Sequence, residues 1–239
     1  MTDATRAPFD KKQADRFYLP ALLLLTLATG VVDAVSYLAL DRVFTGNMTG
    51  NVLFIGFALA GEGDIPLLNN TLALVGFLLG ALVAARVLRG RRHGSRLPTA
   101  NLLVLVGGAA FTVALAVFWL VVGTLDEGTM LGVTAVLALV MGAQAASVRS
   151  TGISDVSTIV VTSTLANLAI DSRLAGGPGE KWPRRVFAVV AMGAGGAIGA
   201  LLLRFTGHGA IPLLVAGLVM LACVLLLHRA RTRELAASA

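Results

Sequence analysis

Of the acidic residues in this 239-residue chain, Asp33 alone interrupts an apolar run long enough to cross a bilayer, in "GVVDAVS" (30–36). A carboxylate there is costly and normally faces a cavity, a partner or a proton path. Shortly after it the chain reads "FTGNMTGNVLFIGFALAG" (44–61), in which Thr45-Gly46-Asn47 and Thr49-Gly50-Asn51 repeat one motif around Met48. Two chemistries fit. Asp33 could bind a cation or proton whose movement is coupled to transport. Alternatively it could be a structural acceptor for Thr45, Asn47, Thr49 or their backbone, fixing the turn in place. The residues leave both open.

A second polar interruption, "DVSTIVVTSTLANLAI" (155–170), carries Thr162, Ser163, Thr164 and Asn167. If each of these segments starts a short helix at mid-bilayer, two positive helix ends, near Thr49 to Val52 and Thr162 to Leu165, would face a common space and favour anions or a substrate carboxylate. Thr49 and Thr162 could equally act as plain N-caps. Gln144 is taken as the uncharged counterpart of Asp33, so a symmetric pair of ion sites is not expected. Asp171 and Arg173 read as boundary charges or as guards of an entrance. His93, His208 and His228 lack metal-ligand spacing, and "GGPGEKW" follows no strand, so neither a metal nor a phosphate cradle is expected. The single cysteine, Cys223, lies in the last apolar run and reads as a small buried hydrophobe. No set of nucleophile, base and orienting group is recognisable. The chain is therefore read as a non-enzyme with no cofactor.

The elements that must hold these residues follow from composition. Apolar residues make up 56% of the chain and charged ones only 13%. Six runs reach the roughly 20 residues needed to span about 30 Å of hydrocarbon: 18 to 40, 65 to 88, 100 to 124, 129 to 148, 185 to 204 and 210 to 228. The net charge of +6 comes from Lys and Arg clustered between these runs, where positive-inside bias accounts for it without nucleic acid. Tyr18, Trp119 and Trp182 fit interfacial anchors.

The two polar-interrupted segments are too short to cross. If both dip in and return, 17 Lys and Arg residues lie on the cytoplasmic side and only Arg42 and Arg204 outside; if both span, the division is 11 against 8. The re-entrant arrangement satisfies the charge rule far better. Residues 43 to 48 in extended form reach roughly 20 Å, and a helix from Thr49 to Ala60 returns about 18 Å. Backbone turns at that depth need protein or a water-filled cavity to satisfy them.

The expected fold is thus an all-α polytopic membrane protein with six transmembrane helices and two short re-entrant half-helices. "MTGNVLF" (48–54) aligns with "VTSTLAN" (161–167) and "GVVDAVS" with "GAQAASV" (142–148). The following helices carry Gly76 with Gly80 and Gly195 with Gly199, pairs suited to close helix packing. Three full spans per copy would place the copies upside down, giving an inverted 3+3 repeat (18–124 and 129–228) between cytoplasmic tails at 1–17 and 229–239.

The stretch "GVVDAVSYLALDRVFTGNMTGNVLFIG", with Gly30, Asp33, Phe44, Thr49, Gly50 and Asn51, resembles the YoaK-like family of bacterial inner-membrane proteins, from about residue 20 to 228. The resemblance implies a multi-spanning protein of the bacterial cytoplasmic membrane and carries no activity with it. Where the second copy is expected to read Thr-Gly, this chain has Thr162-Ser163, and serine enters left-handed conformations less readily than glycine. The reading that results is a transporter or channel for an unidentified small solute, with its path between the two re-entrant segments. The alternative is a non-transporting membrane scaffold or regulatory protein. Lipid and the solute are the expected partners, nucleic acid is not, and a homo-oligomer is a possible assembly.

Overall fold

Leucine, alanine and valine fill the long runs, and such side chains leave the backbone to bond with itself as helix. The computed structural model describes residues 11–90, 97–150, 161–179 and 182–238, side chains being described from Tyr18 to Leu235 or Ala236 at the ends. The described residues form eight α-helices and no strand: α1 Lys11–Ala39, α2 Met48–Leu59, α3 Leu67–Leu88, α4 Thr99–Val122, α5 Glu127–Ser150, α6 Val161–Ile170, α7 Trp182–Thr206 and α8 Ala210–Ser238. One 3-10 turn, Arg173–Ala175, follows α6. Pro66 and Pro98 stand just before α3 and α4, where no helical N–H is needed. Gly123 ends α4 with φ 79°, a conformation that favours glycine.

Six of the helices are long and apolar enough to cross a membrane, close to the expected runs. Helix α2 has 12 residues, too few to do so, and α6 has 10 within the described residues. The last helix runs on through the segment expected to be a tail, to Ser238, because Arg229, Arg231 and Arg233 end the hydropathy but not the helix. Likewise α1 begins at Lys11, inside the expected N-terminal tail.

Helices α1 and α5 are the most enclosed and α7 the least. The main contacts are α1 with α7, α3 with α5, α1 with α8, α4 with α5, and α4 with α8, while α2 lies on α3 and α6 on α7. Glycine sets the closest approaches. A Cβ on Gly80 would overlap the carbonyl oxygen of Leu139, one on Gly142 that of Phe77, one on Gly195 that of Leu27 and one on Gly30 that of Met192. Polar side chains add bonds between helices: Gln144 Nε2 donates to Thr29 Oγ1 (3.0 Å), Asn101 Nδ2 to the Ser147 carbonyl (2.9 Å) and Tyr18 O–H to Glu234 Oε2 (2.6 Å).

Two of the expected interfacial anchors are internal instead. Tyr18 is buried by its bond to Glu234, and Trp119 by the chain at Gly209, leaving Trp182 exposed.

Candidate functional site

The TGNMTGN segment is a turn built onto α1. Asp33 is 5% exposed, and its Oδ1 accepts the Gly46 N–H at 2.7 Å. Gly46 allows the approach, since a Cβ there would stand 3.2 Å from both carboxylate oxygens. Asn51, the buried residue of α2, closes the other side: its Oδ1 accepts the Phe44 N–H (2.9 Å) and its Nδ2 donates to the Phe44 carbonyl (2.6 Å). Gly50 makes room for the Phe44 ring, which a Cβ would approach to 2.8 Å. Phe44 in turn packs with Tyr37 and Phe54 in a triangle of rings, with centroids 5.0, 6.0 and 6.1 Å apart. Thr45 is buried and its hydroxyl has no hydrogen-bond partner.

Asp33 Oδ2 is buried and also without a partner. The residue lines a cavity of about 340 Å³. The walls are Thr29 and Asp33 of α1, the turn and start of α2 from Gly46 to Thr49, Phe77 of α3, Val161 and Thr162 of α6, and Met192 of α7. The start of α2 and the first described residues of α6 therefore meet at one cavity. A second pocket, of about 300 Å³, shares Asp33, Asn47 and Met192 with the first and continues past Tyr37 and Phe44.

Of the residues singled out in the sequence, Asp33, Asn47, Thr49 and Thr162 line the cavity together. Thr45, Gly50 and Asn51 shape the turn behind it. Gln144 is buried and reaches the cavity only through Thr29. Ser163 is exposed on α6, and Thr164 is the buried residue of that helix, as Asn51 is of α2. Asp171 pairs with the buried Arg185 (2.5 Å), which also donates to the Asn167 carbonyl at the end of α6 (2.6 Å); this pair ties α6 to α7. Asp171 thus has a structural partner, and Arg173 is exposed. Sequence reasoning missed Thr29, Phe77 and Met192. A phenylalanine or methionine in an apolar helix reads the same whether it faces lipid, core or cavity.

Six apolar spanning helices around two short ones, which carry the polar turn, define a multi-pass helical membrane protein. The chain belongs to the family described as "Protein of unknown function (DUF1275)", whose model matches residues 21–226. It is also similar to the "UPF0700 transmembrane protein YoaK" of Bacillus subtilis (strain 168), with 32% identity over 152 residues. That match covers 63% of this chain and 65% of the relative, less than two thirds of its length. No solved structure matches.

Proposed function

We propose that the protein is a transporter or channel of the bacterial inner membrane, carrying a small solute along a path between α2 and α6, with both termini cytoplasmic. The observation that carries this reading is the cavity beside a buried, half-satisfied carboxylate, at the point where both short helices begin. Transporters commonly place substrate sites where broken helices meet at the interface of inverted repeats. In this reading α2 and α6 are re-entrant, and 18–124 and 129–228 are inverted copies. The role is not enzymatic, since binding and passage need no reacting side chain.

The helix contacts support the repeat. Exchanging α1, α2, α3 and α4 with α5, α6, α7 and α8 turns α1 on α7 into α5 on α3, α1 on α8 into α5 on α4, and α2 on α3 into α6 on α7. Single residues follow the same exchange. Gly30 meets Met192 O and Gly196 N as Gly142 meets Phe77 O and Ala81 N, and Gly195 meets Leu27 O as Gly80 meets Leu139 O. The cavity walls then contain three exchanged pairs: Met48 with Val161, Thr49 with Thr162, and Phe77 with Met192. In this register Gly80 corresponds to Gly195, and Ala145, one residue on from Gln144, stands in the place of Asp33. The second copy supplies no carboxylate there.

Solute flux in proteoliposomes, measured over a panel of small ions and metabolites, tests the proposal. Saturable flux of at least one solute, lowered by Thr49→Trp within the cavity, is expected. Flux at the level of empty liposomes for the whole panel would leave the scaffold role in its place.

A further inference from the structure

We infer that the ligand of the central cavity is a small organic cation, a protonated amine on an apolar body. The inference rests on the transport reading and names the class of its solute. Asp33 lines the cavity, its Oδ2 has no hydrogen-bond partner, and none of the described lining residues is positively charged. A buried carboxylate with one oxygen unpartnered is stabilised by a positive or hydrogen-bond-donating group, which a cationic ligand would bring. Thr29 does not offer it, because its hydroxyl donates to the Leu25 carbonyl and receives the Gln144 amide. An anion placed beside Asp33 would meet another carboxylate in a low-dielectric setting, where like charges repel strongly.

The remaining walls decide between an ion and an organic cation. Met48, Phe77, Val161 and Met192 are apolar, and an aromatic ring with thioethers suits alkylammonium groups. The volume of about 340 Å³ falls in the range of organic-ligand sites, roughly 300 to 1,000 Å³. A bare divalent ion would need about six oxygen ligands, whereas the side-chain oxygens of the lining are those of Asp33, Asn47, Thr29, Thr49 and Thr162, with a single carboxylate among them. The second pocket shares Asp33 with the first and is lined further by Tyr37 and Phe44, which keeps its walls largely apolar.

Binding is measured on the purified full chain in detergent as the shift of its thermal unfolding midpoint. The probes are n-butylammonium, butyrate and sodium chloride at matched ionic strength. Butylammonium should raise the midpoint in a saturable way, and butyrate and sodium should not. Asp33→Asn should weaken butylammonium binding by roughly tenfold or more, the loss expected for a charge-assisted bond. A second readout does not require that variant to fold: butylammonium, but not butyrate, should slow modification of Thr49→Cys by a methanethiosulfonate reagent. Equal or stronger stabilisation by butyrate overturns the inference, as do no shift with butylammonium, unchanged affinity in Asp33→Asn, or an unprotected Thr49→Cys. Butylammonium that binds but is not carried into liposomes sinks the transport reading and leaves the ligand class standing. Anion flux without ammonium binding does the reverse.

Discussion

The two oxygens of Asp33 differ: Oδ1 holds the Gly46 amide, and Oδ2 has no hydrogen-bond partner. The structural role read from the sequence belongs to Oδ1, and the ligand-binding role proposed above would fall to Oδ2. Asp33→Leu removes the acceptor and leaves buried amides unpaired, at a cost of about 1 to 3 kcal/mol. Asp33→Asn keeps an acceptor for Gly46 and should retain most of the stability while losing the charge, which thermal unfolding of both variants beside flux would resolve. Asn51 makes a comparable demand, because both ends of its amide are bonded to Phe44. Asn51→Leu should lower the unfolding midpoint clearly more than Thr49→Val, since Thr49 is exposed at the start of α2. Similar midpoints for the two would contradict the clamp. At this scale the sequence revealed Asp33 and the turn, because a carboxylate among apolar residues and a doubled Thr-Gly-Asn are both unusual. The partner of Asn51 was not legible: a side chain that bonds to backbone leaves no mark on the residue it bonds.

Helix packing turns on which glycines lie under a neighbouring carbonyl. Gly80 and Gly195 do, while Gly107 and Gly193 have nothing within 4 Å of a Cβ. Gly80→Ala and Gly195→Ala should each destabilise by about 1 to 3 kcal/mol through overpacking. Gly107→Ala and Gly193→Ala should be neutral, or stabilising by about 0.5 to 1 kcal/mol, since alanine is the better helix former. Unfolding in a detergent series measures all four, and equal effects across the two groups would mean that the close approaches do not exist. The spans themselves were legible from hydropathy, and the shortness of α2 and α6 from their polar residues. The register of the glycines was not. Small residues recur every few positions along α7, at Gly193, Gly195, Gly196 and Gly199, so spacing alone offers several equivalent stripes and only the facing carbonyls choose among them.

For the whole molecule the open quantity is orientation, and charge sets the expectation. The bonds from Asn69 to the Leu40 carbonyl and from Arg42 to the Asp64 carbonyl set the turn carrying Glu62 and Asp64 beside the loop after α1. The bond from Tyr18 to Glu234 joins the first spanning helix to the end of the last, so both termini leave on one face. That face also holds Arg231, bonded to Thr99 at the start of α4 (2.8 Å). Positive residues crowd it, which argues for the cytoplasmic side. Single cysteines at Gly63, Asp126 and His208 should then react with a membrane-impermeant thiol reagent added to intact cells. Cysteines at Gly90 and Gly179 should react only after the membrane is opened. The native Cys223 is buried in α8 and should stay silent, which allows the test in the natural background. Reaction of Gly90→Cys from outside, with Gly63→Cys protected, would mean that α2 crosses the bilayer completely. The cavity at its start would then not lie between two re-entrant helices.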